Sequence, residues 1–299
     1  MKNTPLVSVI IPVYNDAERL EKCLAALEEQ TYPQNLYEVI VVDNASDKSI
    51  VEIVNRYQQA SATYEAQPGS YAARNRGISV AKGEIFAFTD SDCIPDLNWL
   101  ELGINTLINT PNCGIVGGKV ELFYKDLERL SAVELYESYG AFTQQQNIEQ
   151  FHFCVTANLF TFKSVFDKVG TFNQKLKSNG DREWSHRVHN NEYQLFYNEL
   201  VIVHHPARFS LRQIYQKCLR TVGGQEEINQ KSYDSKLFKI DLELILGFLP
   251  PIKYYARVFS VKKKYSFIEK IKIILVFSVL KYAAQIERLK VRMGGDSKR

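Results

Sequence analysis

Apolar strand-like runs and helical stretches alternate four times within about 90 residues at the start of this chain, and the main runs end in polar residues. The run 7–13, VSVIIPV, is rich in β-branched residues and is closed by Pro12, which has no N–H for a ladder. A helix over 17–30 puts Leu20, Cys23, Leu24 and Leu27 on one face. A second buried strand follows at 37–42, YEVIVV, and a helix is expected from Ser46 or Asp47 to about Gln59. A short third strand at 62–66 precedes a helix over 70–81 that carries Arg74, Asn75, Arg76 and Gly77. This alternation specifies an α/β fold with a doubly wound, mostly parallel sheet and right-handed crossovers. The clusters Tyr14-Asn15-Asp16, Asp43-Asn44-Ala45-Ser46 and Asp90-Ser91-Asp92 all follow strands. They therefore gather on the carboxyl edge of the sheet, where open α/β folds bind ligands.

The segment 84–95, EIFAFTDSDCIP, carries the sharpest chemistry. Two carboxylates one residue apart, just past a core strand, offer the oxygen ligands that Mg2+ or Mn2+ prefers together with substrate phosphates. The plainer reading is a turn that caps the next helix, also announced by Pro95-Asp96. No GxGxxG follows the first strand and no GxxxxGK[ST] occurs anywhere, which weakens dinucleotide-cofactor and P-loop readings.

With 299 residues, 45% of them hydrophobic and 24% charged, the chain can bury a substantial core. Five scattered cysteines without a CxxC pair argue against a disulfide framework and a structural zinc site, and favour a reducing, cytoplasmic setting. The N-terminal apolar run is too short for a secretion signal. The net charge of +3 hides an asymmetry. Residues 253–299 hold 13 Lys and Arg against 3 Asp and Glu, a balance of +10 that leaves −7 for residues 1–252. An acidic body with a basic tail calls for a negatively charged partner at the tail alone.

Farther along, helices are expected over 97–109, 127–142 and 163–169, and a bent strand or strand pair over 113–123. The alternation in FHFCVTANLFTF predicts a strand over 151–162. Asp181 opens a helix that runs to Asn190, and strands are expected over 193–197 and 201–204 before His204-His205-Pro206-Ala207-Arg208.

Taken together, VSVIIPVYND, VVDNAS, SYAARNRG, the DSD and GDREW resemble the family-2 glycosyltransferases of the GT-A fold, over roughly residues 7–208. The resemblance implies a Rossmann-like catalytic domain at 1–208, with a nucleotide-sugar half near 1–120 and an acceptor half near 121–208, followed by a helical tail at 209–299. It implies that Pro12, Val13, Tyr14 and Asp43 line the nucleoside pocket, with Asp43 facing the base. Arg74 and Asn75 would lie near the diphosphate or ribose, Asp90 and Ser91 near the ribose or sugar. Asp92 would bind the divalent cation, Mn2+ or Mg2+. His205 would complete the metal site, with His204 as its rival. The frequent Gly-Glu-Asp of the family is here Asn179-Gly180-Asp181. Asp181 is the expected general base, and Glu183 the alternative.

The implied reaction is inverting transfer from a nucleotide sugar, with a UDP-sugar as the expected donor, to a saccharide or lipid-linked acceptor in surface polysaccharide or glycolipid assembly. A nucleotidyltransferase, or a nucleotide-sugar-binding protein with a degenerate site, are the competing readings. The first lacks the Gly-rich basic loop such enzymes carry, and the presence of both Asp92 and Asp181 speaks against the second. No nucleic-acid partner is expected. The tail, with Lys262-Lys263-Lys264 and apolar runs well short of the ~20 residues that span a bilayer, offers either peripheral contact with the cytoplasmic membrane face or packing, including a homodimer contact.

Overall fold

The structure, a computed structural model, describes residues 4–232, 242–261 and 264–297. The chain opens with β1 (Val7–Val13), α1 (Ala17–Glu28), β2 (Tyr37–Asp43), the single turn α2 (Val51–Val54), β3 (Ala60–Tyr64) and α3 (Ser70–Val80). Next come β4 (Ile85–Phe88), the two-residue β5 (Ile94–Pro95), α4 (Trp99–Asn109), the long β6 (Cys113–Phe123), α5 (Ala132–Gly140) and α6 (Gln144–Phe151). Then follow β7 (Leu159–Phe162), α7 (Lys163–Val169), α8 (Gly180–Asn190) and β8 (Gln194–Pro206). Helices α9 (Leu211–Ser232), α10 (Leu242–Leu246), α11 (Ile252–Ser260) and α12 (Phe267–Arg292) end the chain.

The backbone forms two compact units. The first comprises Met1–Phe123, Phe142–Lys175 and Gly180–Pro206; the second comprises Tyr124–Ala141, Leu176–Asn179 and Ala207–Arg299. The expected acceptor half, 121–208, is thus divided between them.

The first unit is built on an eight-stranded sheet of order β3-β2-β1-β4-β7-β6-β8-β5. β3, β2, β1 and β4 run parallel; β1, β2 and β4 have the continuous apolar sequences of strands covered on both faces, while the edge strand β3, ASATY, is only partly buried. β7 then runs antiparallel to both β4 and β6, while β6 and β8 are parallel, so the sheet is mixed but mostly parallel. Leu20, Cys23, Leu24 and Leu27 of α1 are buried in the same cluster as Val9 and Ile11. At roughly 1.5–3 kcal/mol per buried large side chain, this packing outweighs a helix cap, and the Asp16 side chain makes no capping bond. Across the sheet, α3 comes close enough at Gly77 that a Cβ there would lie 2.5 Å from a methyl of Ile10.

Several elements depart from the sequence reading for identifiable reasons. The helix expected from Ser46 or Asp47 shrinks to Val51–Val54, because Ser46 and Asp47 are tied to Asn15. The helix expected over 127–142 starts only at Ala132, where Ser131 and Glu134 form a capping box. The predicted strand over 151–162 is confined to Leu159–Phe162. Residues 144–151 form a helix, closed by His152 at a φ of 53°, and buried side chains replace ladder bonds in the following segment. There, the Gln144 amide bonds Val155 N and Asn158 O, while the Asn158 amide bonds Lys119 O, Val201 O and Trp99 Nε1. The two strands expected near 193–204 are one, Gln194–Pro206, with a register break opposite Gly118 and Lys119.

In the second unit, α5 and α12 share apolar clusters with α9 and α11 through Val133, Ile214, Val276 and Leu280, and through Leu135, Val258 and Ile273. The buried Glu137 carboxylate is paired with Arg208 at 2.9 Å. No helix among the described residues is long and apolar enough to cross a membrane. Lys262 and Lys263 lie outside the described residues.

Candidate active site

The carboxyl ends of β1, β2 and β4 bring the expected polar clusters to one edge. Val13 and Asp43 are register partners, and Ile10 pairs with Phe88, two residues before Asp90. Val13 is buried and Tyr14 exposed, with Pro12 between these extremes. The loops after β1 and β2 are laced together. Asn15 N donates to Ser46 Oγ at 2.9 Å, and the Asn15 and Asp47 side chains and backbone exchange two further bonds. Ala45 sits at a φ of 62°, a left-handed conformation costing about 1–2 kcal/mol for an L-residue. The adjacent turn is held by Ser46 N donating to Asp43 Oδ1 at 3.0 Å. Buried Asn44 spans to the next loop, donating to Glu65 O and Gln67 O and accepting from Gly69 N at 2.7 Å. That loop leads directly into α3.

Tyr71 and Arg74 lie three residues apart on one face of α3, and both are buried. Arg74 pairs with Asp90 at 2.5 Å. Its Nε is buried without a hydrogen-bond partner among the described residues. Tyr71 donates its hydroxyl to Asp181 Oδ1 at 3.1 Å, and the backbone N–H of Arg182 donates to the same atom at 2.9 Å. Asp181 opens α8 beside Gly180, where a Cβ would stand 2.7 Å from the Tyr71 ring. Burial pushes the Asp181 carboxyl above its ordinary range; the Arg182 N–H, Arg74 and Tyr71 pull it back, and Asp90 pushes it up. A carboxylate raised in this way is a stronger base than a free one, and its two donors hold it in place. Burial and Asp181 push the Tyr71 phenol well up, so it remains the donor.

Asp92 faces His205. His205 Nε2 is 3.6 Å from Asp92 Oδ1, and the ring is buried. Its Nδ1 lies 2.8 Å from the carbonyl oxygen of Pro206. A carbonyl can only accept, so Nδ1 carries a proton, and Nε2 is the ring atom that faces Asp92. Phe142 packs on the ring, with centroids 4.7 Å apart. An imidazole nitrogen beside a carboxylate fits a divalent cation such as Mn2+ or Mg2+, with Pro206 O as the outer partner that orients the ring. No group of three or more His, Cys, Asp or Glu side chains among the described residues is arranged to hold a metal. Two protein ligands, Asp92 and His205, leave room for substrate phosphates in the coordination of such a cation. Burial pushes the Asp92 carboxyl up, against the pull of His205; Asp90 adds to the push and Arg19 opposes it.

Two further residues complete this cluster. Arg19 reaches Asp92 at 3.4 Å and Asp16 at 2.6 Å, and Ser91 Oγ donates to Asp16 Oδ2 at 3.2 Å. Asp16 and Tyr71 lie within the quoted motifs VSVIIPVYND and SYAARNRG, but neither they nor Arg19 receive a role from the sequence. For Tyr71 the signal was present, as the i, i+3 partner of Arg74. Asp16 was legible as part of the polar cluster after β1, without a partner assigned to it.

Other expected residues are placed elsewhere. The Asn75 amide closes on the Phe172 backbone, donating to its carbonyl at 2.8 Å and accepting from its N–H at 3.0 Å. Glu183 is held by both guanidinium arms of Arg187, at 2.8 and 3.1 Å. His204 points away from its neighbour, as alternate residues of a strand must, and meets Asp96 at 2.7 Å. Trp184 is fully buried against Phe166, with centroids 4.3 Å apart.

Residues 8–170 match the model of glycosyl transferase family 2. Glycosyltransferase AglE of Haloferax volcanii is 39% identical over 258 residues, covering 84% of each chain. The poly(ribitol-phosphate) beta-glucosyltransferase of Bacillus spizizenii is 38% identical over 92 residues, which are 29% of this chain and 14% of that protein. Among solved structures, the mannosyltransferase PcManGT from Pyrobaculum calidifontis, in complex with GDP-Man and Mn2+, aligns with 96% of this chain and 86% of its own. The TM-score is 0.66 at 19% identity, a likeness of fold. The extent of the family match and of the similarity to AglE establishes that this chain belongs to glycosyl transferase family 2.

Proposed function

We propose that this glycosyltransferase is metal-dependent and inverting, and moves a sugar from a UDP-sugar to a hydroxyl of a saccharide or lipid-linked acceptor in surface polysaccharide or glycolipid assembly. The observation that carries the reading is Asp181. It is a recessed carboxylate oriented by Tyr71 and Arg182 and sharing Arg74 with Asp90 of the DSD segment. Glu183 is neutralised by Arg187 and is a poor competitor for the role of base.

In the proposed step the acceptor oxygen attacks the anomeric carbon as its proton passes to Asp181. The bond from that carbon to the diphosphate oxygen breaks, and its electron pair leaves with UDP. Attack opposite the leaving group inverts the centre through an oxocarbenium-like state. A divalent cation held by Asp92 and His205 would supply charge neutralisation at the diphosphate. Asp90, fixed by Arg74, is available to the sugar or ribose hydroxyls. Asp43 has one oxygen engaged by Ser46 N, which leaves its other oxygen for a single imide N–H such as uracil offers. Guanine would present two donors. Binding of GDP-Man by the mannosyltransferase of similar fold makes guanosine the comparison to run.

The test is transfer from a panel of UDP- and GDP-sugars with Mn2+, read as nucleotide release and as the anomeric configuration of the product. Inverted product from a UDP-sugar, abolished in Asp181→Asn, supports the reading. Retention of configuration, or full activity of Asp181→Asn, overturns it.

A further inference from the structure

The second unit carries a surface that the transferase chemistry does not use. One face of α12 packs inward through Ile273, Val276 and Leu280, while Ile268, Ile271, Leu275, Val279 and Ile286 lie on the opposite face and are exposed. At about 1.5 Å per residue this stripe is about 27 Å long. Ile268 and Leu275 are 67% and 60% exposed, far more than a packing role requires. The same pattern continues on α11, where Val258 is buried and Ile252 and Phe259 face out. Phe259 meets Phe267 of α12 with centroids 5.9 Å apart, which joins the two apolar faces. Lys281 donates to the carbonyls of Gly247 and Leu249, holding the preceding turn in which Phe248 and Leu249 are also exposed.

Charge surrounds this surface. Residues 247–284 contain eight Lys and Arg and one acidic residue, Glu269. Glu269 is engaged in the capping box of α12 with Ser266. Lys253, Arg257, Lys264 and Lys272 are exposed among the apolar residues. Large outward Ile, Leu and Phe side chains flanked by cations are the composition of a helix that lies in a bilayer interface, with its apolar side chains below the headgroups and its cations among them. A second copy of this chain is a poor occupant. A two-fold contact would set this face against itself and oppose its excess of positive charge.

We infer that the outer faces of α11 and α12, with the turn before them, form a docking surface for an anionic lipid bilayer. This inference is independent of the transferase reading, since lipid binding involves neither donor nor metal. The experiment is co-sedimentation of the full-length protein with vesicles of phosphatidylcholine, alone or with about one-third phosphatidylglycerol, at low and high salt. The expected result is binding to the anionic vesicles that falls steeply with salt. Replacing Lys253→Ala together with Lys272→Ala should weaken partitioning roughly 30-fold, from about a fivefold effect per cation. Leu275→Asp should weaken it as well. These positions are exposed, so circular dichroism and the melting temperature should stay those of the wild type. Folded wild-type protein left in the supernatant with anionic vesicles would overturn the inference. So would binding that neither variant weakens, or a wild-type dimer in sedimentation velocity that Leu275→Asp converts to monomer.

Discussion

Removing one hydroxyl tests whether Asp181 is the base and whether Tyr71 sets its titration. In Tyr71→Phe the buried ring remains in place, and the 3.1 Å bond to Asp181 Oδ1 is lost. That bond stabilises the carboxylate, so its loss pushes the carboxyl further up, in the direction burial already drives it. A hydrogen bond to a charged group is worth about 1.5–3 kcal/mol. Asp181 also keeps some contact with water and a second donor in Arg182 N, so the lower end applies. A base must be ionised to accept a proton, so the acid limb of the kcat/KM profile should move to higher pH. On that limb the variant should be about tenfold slower, and the two profiles should converge at alkaline pH. The assay is initial-rate nucleotide release across the pH range with the best donor. An unshifted limb, or the same loss at every pH, would refute the role given to Tyr71.

Other predictions follow from the same geometry. Asp181→Asn should abolish transfer yet raise the melting temperature, read by thermal unfolding at neutral pH. The sign follows from linkage: a carboxyl that titrates higher in the folded state favours folding while protonated and loses that contribution as pH rises through its folded value. The ion is therefore a net cost at neutral pH. Glu183→Gln should do the reverse, keeping activity within a few-fold and lowering stability by up to ~1 kcal/mol as the Arg187 pair is lost, read by thermal unfolding. Gly180→Ala should copy the pH phenotype of Tyr71→Phe, because its Cβ would meet the Tyr71 ring at 2.7 Å. Gly118→Ala would put a Cβ 2.1 Å from the Val201 carbonyl oxygen; a backbone atom cannot yield as a side chain can, and chemical denaturation should show a loss of about 3 kcal/mol.

The parallel half of the sheet was legible because strands covered on both faces read as unbroken apolar runs: VSVIIPV, YEVIVV and IFAF each became a strand within a residue or two. The region 144–158 was not, because its order comes from Gln144 and Asn158 side chains that replace a ladder, and no periodicity reports that. His204 and His205 were equivalent in the sequence. Only the phase of β8 turns His205 toward Asp92 and His204 toward Asp96. The placement of Glu183 could have been read from Arg187 four residues on, a spacing that pairs charges on a helix. Asn75 sits beside Arg74 in the motif but on another face of α3, and that turn of 100° sends it to the Phe172 backbone.

The central claim is a donor site that needs a cation held by Asp92 and His205. Calorimetric titration of UDP and GDP into the full-length protein, with Mn2+ and then with EDTA, tests it most directly. The account predicts UDP binding that requires Mn2+, exceeds that of GDP, and disappears in Asp92→Ala. Nucleotide binding equally strong in EDTA, or unchanged in Asp92→Ala, would contradict it.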